Sequence, residues 1–270
     1  MSSTDLYVDT EHESAIEQEA ARFEDEIRRG DDPAVPYEPY IMAVRARSRG
    51  YAYRTPGIIT GRNHHNLSRG EEGVFQLVDG APNEFANIRE QLALPVSLTW
   101  LICKKRGWRH PFHKKKPAVL TIDFLVTLRL GGWLGIDFKI KKDLENDLTK
   151  QKLEIAAEAL RLAGGTHKVM TEEDLPRVKV RNLRFLHQLA LPFGRPPLSE
   201  LELDLVEDRL RAALRDGRTL IFDAAQRVSG LTGIPAARLS RGAMWCIARH
   251  RWAVDLNRPI GPDHPVTFLQ

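Results

Sequence analysis

Val119-Leu120-Thr121-Ile122-Asp123-Phe124-Leu125-Val126-Thr127-Leu128, then Arg129-Leu130-Gly131-Gly132, then Trp133-Leu134-Gly135-Ile136-Asp137-Phe138-Lys139-Ile140: this stretch decides the fold. Val119 to Leu128 is almost continuously apolar and β-branched, the pattern of a strand covered on both faces. Trp133 to Ile140 reads as a second strand, and the two glycines between them make the pair a hairpin. One residue does not belong in the first strand. Asp123 interrupts its apolar run, and an unpaired buried carboxylate costs several kcal/mol, so a hydrogen bond, an ion pair or a bound cation must compensate it. The second strand repeats the anomaly by alternating Ile136, Asp137, Phe138, Lys139 and Ile140.

Side chains repeat every two residues along a strand, so Asp137 and Lys139 share one face. A two-residue turn at Gly131-Gly132 would set Asp123 opposite Ile140, on the other face from Lys139. Convergence of the three charges therefore requires an odd loop, such as a three-residue one placing Asp123 beside Lys139, or a bulge.

Outward from the hairpin, Asn146 to Ala163 is an amphipathic helix stopped by Gly164 and Gly165, and His167 to Met170 is a short strand. Upstream, Ser68 caps a helix carrying Glu71 at the spacing of a capping box, and Phe85 to Leu94 forms a strand. The order helix, three strands, helix, strand predicts an α/β (α+β) domain with a mixed sheet over residues 33–172. Residues 95–118 read as a long basic connection. An acidic segment, 1–32, precedes the domain, with Ile16, Ala20, Phe23 and Ile27 at helical spacing; it is either a docking helix or a tail. Prolines 176, 192, 196 and 197 mark a linker region. Residues 173–270 then read as three helices and a two-strand tail, the winged-helix arrangement.

With 42% hydrophobic and 28% charged residues, the 270-residue chain is of globular composition. It has no apolar run long enough to span a membrane. The acidic start is unlike a signal peptide, and two distant cysteines supply neither a disulfide framework nor a zinc pattern, so a cytoplasmic location is expected. The net charge of +4 conceals an asymmetry, since residues 1–32 carry eleven acidic side chains against three arginines. Basic residues gather at Arg45, Arg47, Arg49, Arg54, Arg62 and Arg69, and again at Lys104, Lys105, Arg106, Arg109 and Lys114, Lys115 and Lys116. Interleaved with His64, His65, Trp108, His110 and His113, these runs point to a phosphate backbone. The residues expected to touch DNA are Arg62, His64, His65, Arg69, Lys104, Lys105, Arg106, Lys114, Lys115 and Lys116.

Asp123 followed on the next strand by Asp137-Phe138-Lys139 is the signature of restriction-endonuclease-like nucleases. Two carboxylates suit Mg²⁺, a hard cation that takes oxygen ligands, with Mn²⁺ as a substitute. A lysine beside them positions the attacking water or balances charge developing at the phosphate. The Phe138 carbonyl is a further ligand, and Glu71 allows a second metal. The catalytic set is therefore Glu71, Asp123, Asp137 and Lys139, and the metal ligands are Glu71, Asp123, Asp137 and Phe138. The alternatives are a buried structural ion pair for Asp123 with Lys139 and a capping carboxylate for Glu71.

The stretch His64-His65-Asn66-Leu67-Ser68-Arg69-Gly70-Glu71, with Val74-Phe75, Asn87-Ile88-Arg89-Glu90-Gln91 and Thr121 to Val126, resembles the TnsA family, endonuclease subunits of heteromeric cut-and-paste transposons. Lys152-Leu153-Glu154, Asn182-Leu183 and Phe185-Leu186 extend the likeness over roughly residues 40–190. The resemblance implies that Glu71, Asp123 and Lys139 are catalytic, and that the chain cuts the 5′ ends of a transposon in double-stranded DNA. It also implies a TnsB-like transposase cutting the 3′ ends and a TnsC-like ATPase meeting the C-terminal domain. Some family members carry Gln where Asp137 stands, and Glu72 is one helical step from Glu71. Two other readings stand beside this one: a restriction or junction-resolving nuclease of the same fold, and a non-catalytic DNA-binding protein.

Overall fold

The computed structural model describes residues 3–43, 52–190 and 196–269, with side chains from Glu11 onward. The chain divides into two compact units, 1–175 and 176–270. The basic positions Arg45, Arg47 and Arg49 lie outside the described residues.

The first unit runs α1 (Ser3–Arg29), β1 (Tyr53–Pro56), β2 (Asn63–Asn66), α2 (Arg69–Asp79), β3 (Phe85–Ala93), α3 (Val96–Lys105), β4 (Phe112–His113), β5 (Lys116–Pro117), β6 (Thr121–Leu128), β7 (Trp133–Phe138), a 3-10 turn (Lys141–Glu145), α4 (Asp147–Leu162) and β8 (Thr166–Met170). Its main sheet has the order β3-β6-β7-β8, antiparallel except for the parallel β7–β8 pair. Helices cover both faces. On one, Phe23 and Ile27 of α1, Leu98 and Ile102 of α3, and Ile155 and Leu160 of α4 pack on Leu92, Ile122, Leu125 and Trp133. On the other, Val74, Phe75 and Val78 of α2 pack on Ile88, Phe124, Val126 and Ile136. This is a mixed α/β unit, and burial of both sheet faces explains why β6 lacks polar alternation.

One expectation about this unit needs correction, and one open choice is decided. Residues 95–118 are not an open connection. They hold α3, which buries Leu98, Thr99, Ile102 and Cys103, and the small β4–β5 hairpin. The helix was hidden because no side chain caps it and its apolar positions include β-branched Val96, Thr99 and Ile102. Of the two readings of the acidic N-terminus, the docking helix holds and the tail does not. Ile16, Ala20, Phe23 and Ile27 are each at most 4% exposed within the core of the unit. Just past α1, Asp31 accepts from Arg89 of β3 (2.8 Å), Thr127 of β6 (2.5 Å) and Trp133 of β7 (2.7 Å), tying the helix to three strands.

The hairpin β1–β2 is fastened by a buried polar network around Glu90 on β3. Arg62 forks onto both Glu90 oxygens (2.9 and 2.6 Å), the His64 ring meets Glu90 at 2.8 Å and Thr60 at 2.7 Å, and the His65 amide donates to Glu90 at 3.0 Å. Burial alone would push the Glu90 carboxyl up, but His64 and Arg62 outweigh it and hold it at about 2. His64 and Arg62 were expected to touch DNA. The structure corrects this for His64, which is fully buried and so kept from any phosphate; the partly exposed Arg62 guanidinium is held by Glu90 and the Ile88 carbonyl.

The second unit is α5 (Arg177–Ala190), α6 (Glu200–Leu214), α7 (Ile221–Thr232) and α8 (Ala236–Ala248) followed by an extended tail. The expected linker region is therefore partly a helix. Val180, Leu183 and Leu186 of α5 are buried, and the Asn182 amide donates to the carbonyls of Leu256 (2.8 Å) and Arg258 (2.6 Å), pinning the tail. Ser199 and Glu202 form a reciprocal capping box at the start of α6. The expected two-strand tail reduces, among the described residues, to isolated bridges, Val254 with Phe268 and Leu220 with Pro265. Pro259, Pro262 and Pro265 remove amide donors that a continuous ladder would need. Among the described residues, no helix is long and apolar enough to cross a membrane.

Two measurements test these ties. Asp31→Ala leaves the Arg89 guanidinium buried without its carboxylate and lowers the unfolding free energy by about 3 kcal/mol, read by urea denaturation. The folded Glu90 carboxyl titrates near 2 against an ordinary value of 4.5. Its contribution is therefore complete above about pH 4.5 and is lost as pH falls toward 2. The buried His64 resists protonation in the folded state and adds to the acid loss. Glu90→Gln costs on the order of 3 kcal/mol at neutral pH and flattens the acid limb of the stability curve; an unchanged acid limb refutes the assignment.

Candidate active site

The hairpin register fixes the site. Phe124 faces Ile136, Leu125 faces Gly135 and Thr127 faces Trp133, a pairing that continued one step sets Asp123 opposite Asp137. The loop is odd, as convergence requires: the Leu128 amide donates to the Gly132 carbonyl (3.0 Å), closing a three-residue turn with Gly131 at φ 93°. The register is one pair tighter than the expected Asp123–Lys139 facing, and the lysine instead reaches back between the two aspartates.

Simple alternation also fails at this row, for a visible reason. Ile122 and Leu125 pack in one core, whereas Phe124 and Val126 pack in the other, so β6 changes face at Asp123. The neighbouring strand does the same, with Ile88 in one core and Leu92 in the other. Between them Gln91, across from Asp123, has a left-handed backbone at φ 52°. A non-glycine residue there is strained by roughly 1 kcal/mol, and such strain concentrates at functional positions.

Asp123 Oδ2 accepts from Lys139 Nζ (2.8 Å) and from the Phe138 amide (2.9 Å). Lys139 Nζ also donates to Asp137 Oδ1 (3.3 Å) and to the Phe138 carbonyl (3.0 Å). Burial and then the neighbouring Asp137 push the Asp123 carboxyl up to about 8, against the pull of Lys139. Burial acts upward on Asp137 too, but His167 and Lys139 outweigh it and hold that carboxyl below the usual range. Lys139 is raised: burial opposes its charge, and the two aspartates more than offset this.

Glu71 arrives from the start of α2. Ser68 accepts from the Glu71 amide (3.1 Å), but the Glu71 carboxylate bonds the Leu67 amide (2.9 Å) rather than closing the box on Ser68. Gln91 donates to the same carboxylate at 3.3 Å. Gly70 permits the approach, because a Cβ there would lie 2.0 Å from the Phe138 ring. Burial raises the Glu71 carboxyl, with Lys139 and Asp137 both acting on it through space. Its neighbour Glu72 accepts from Gln76 along the helix at 3.1 Å.

Two participants carried no decisive sequence signal. His167 Nε2 lies 2.7 Å from Asp137 Oδ2, with its side chain 6% exposed, and it comes from β8, thirty residues away in the chain. Gln91 links the Glu71 carboxylate to β3. Only the parallel β7–β8 pairing, which sets Gly135 beside His167, brings the histidine within reach. The other expected DNA contacts divide. The His65 ring accepts from the Ala43 amide (3.1 Å) and is half-buried. Arg69, Lys104, Lys105, Arg106, Lys114, Lys115 and Lys116 are exposed, with Lys105 paired to Glu13 at 3.1 Å.

Among the described residues, no three Asp, Glu, His or Cys side chains close into a ready-made metal cage. The donor chemistry nevertheless suits a hard cation. Three oxygens, from Asp123, Asp137 and the Phe138 carbonyl, converge within 3.3 Å on one positive group, the Lys139 ammonium. All are oxygen donors, two are carboxylates, and a third carboxylate stands at Glu71.

No family model matches the chain. A stretch of 163 residues, 60% of this chain, is 28% identical to the Transposon Tn7 transposition protein TnsA of Escherichia coli. The match spans 59% of that relative's length. Over that stretch, the chain is similar in sequence to that protein.

Proposed function

We propose that this chain is the DNA endonuclease subunit of a heteromeric transposition system, cutting the 5′ ends of the element in double-stranded DNA. The observation that supports it most is the convergence of Asp123, Asp137, the Phe138 carbonyl and Lys139 at one row of the sheet, in a chain with TnsA-like sequence. On this reading the first unit is a restriction-endonuclease-like nuclease domain and the second a winged-helix domain.

Asp123, Asp137 and the Phe138 carbonyl would hold Mg²⁺, or Mn²⁺ in its place, and Glu71 would complete a second position. Bound there, the metal supplies polarisation of the scissile phosphate and a more acidic water. Lys139 has two tasks: it helps hold Asp137 ionised and opposes the upward push of burial on Asp123, and its ammonium faces the charge that develops on the phosphate. His167 holds Asp137 in one orientation, so the carboxylate presents its Oδ1 to the site while Oδ2 stays occupied. Gln91 and the Leu67 amide do the same for Glu71. A TnsB-like transposase would cut the 3′ ends, a TnsC-like ATPase would meet the C-terminal unit, and the assembly would act in the cytoplasm.

Cleavage of labelled transposon-end DNA with Mg²⁺ and the partner proteins tests the reading. Asp123→Ala should reduce 5′-strand cutting by at least about 100-fold while DNA binding persists; intact cutting would refute the site. His167→Ala should cost roughly 10–100-fold and weaken Mn²⁺ binding measured by electron paramagnetic resonance, with partial recovery in His167→Gln. Equal Mn²⁺ affinity in wild type and His167→Ala would rule out the orienting role.

A further inference from the structure

Away from the aspartates, the β4–β5 hairpin and α4 enclose a groove of about 490 Å³ lined by Arg109, Phe112, His113, Leu148, Gln151 and Lys152 among others, with no carboxylate. The groove lies open to solvent. The Phe112 ring is 48% exposed and Leu148 50%. Trp100 on α3, 42% exposed, stands edge-on to Phe112 at 6.0 Å between ring centroids. These rings do not float. Buried His110 packs against Trp100 (5.3 Å) and Phe112 (6.5 Å), and is itself fixed by Thr99 (3.0 Å) and by the Pro111 carbonyl (2.8 Å). Gln151 closes the base by donating to the Arg109 carbonyl at 3.0 Å.

The hairpin tip adds charge. His113 pairs with Lys116 across a two-residue turn whose residues, Lys114 and Lys115, are both left-handed (φ 47° and 65°). Asn-Gly would occupy such a turn without strain; here two lysines occupy it, and with Lys116 they set three exposed ammonium groups side by side in sequence. Among the described residues, Arg109, Lys114, Lys115, Lys116 and Lys152 make no ion pair with a carboxylate, although Arg109 lies over the Phe112 ring at 6.0 Å. Duplex bases are stacked on one another and leave such rings nothing to stack on. An unpaired base does not have that constraint, and cations flanking aromatic faces are the chemistry of single-strand recognition.

We infer that this groove binds single-stranded DNA, with a base stacked against Phe112, whose ring Trp100 supports edge-on, and the flanking phosphates held by the lysine tip, Arg109 and Lys152. The inference rests on the DNA-processing reading above and adds that the substrate is partly unpaired when it is engaged. The full-length chain is titrated, in chelator, into fluorescein-labelled oligothymidylate and into a blunt duplex of equal length, and anisotropy is followed. Trp100→Leu with Phe112→Leu weakens oligothymidylate binding about tenfold and leaves duplex binding within about twofold. Lys114→Gln, Lys115→Gln and Lys116→Gln together weaken both and shallow the salt dependence. A 2-aminopurine in the single strand is quenched on binding to the wild type.

Absent oligothymidylate binding, an unquenched 2-aminopurine, or an aromatic variant that binds oligothymidylate like the wild type overturns the proposal. So does polyglutamate binding that is lost in the aromatic variant while oligothymidylate binding is kept, which assigns the groove to an acidic protein. Asp123-dependent cutting with any of these results leaves the nuclease reading standing. Groove-dependent single-strand binding in a chain that does not cut upholds the groove and removes the nuclease.

Discussion

Two carboxylates facing each other inside a sheet repel, and each is costly to withdraw from water. In this protein the Lys139 ammonium lies within 3.3 Å of both Asp123 and Asp137 and eases the conflict; Asp137 stays low, while Asp123 takes up the remaining strain as a raised carboxyl. Much of the surrounding structure serves that arrangement. The three-residue turn sets the parity that brings the acids together. The change of face at Gln91 and Asp123 lets a charged row interrupt two apolar cores. The parallel β8 strand delivers His167 to the oxygen that Lys139 leaves free. The three oxygens around the ammonium are the ones that would hold a divalent cation in the function proposed above.

The basic character of the chain proves to be two different things. Arg62 and His64 are spent inside the protein, fastening the β1–β2 hairpin to Glu90, and Arg89 is spent on Asp31 and the end of α1. The cations at Lys104 to Arg106 and Lys114 to Lys116 remain on the surface. Composition cannot separate these groups, because a buried guanidinium and an exposed one are the same letter. The carboxylate partner decides, and it lies far off in sequence, 28 residues from Arg62 and 58 from Arg89.

A related limit explains the helices that patterning did not expose. In α3 the apolar positions lie beside Lys104 and Lys105, and its β-branched residues imitate a loop or strand. In α5 a strongly basic, proline-flanked segment folds because Val180, Leu183 and Leu186 have a core to enter. Both are stabilised by tertiary burial more than by intrinsic propensity.

The sequence by itself determined the hairpin, its two misplaced aspartates, the lysine two residues beyond, and the need for an odd loop. These follow from the two-residue period of a strand and the cost of a buried charge, which act locally. It also carried the helices on either side of them, α2 and α4, and the acidic first turn that offers Glu71. Only the tertiary structure decided which residues share the row. The facing of Asp123 with Asp137, the left-handed Gln91, the approach of α2 over Gly70 and the His167 hydrogen bond all depend on strand register and helix packing. Those are set by contacts between segments tens of residues apart, and no local rule of spacing contains them.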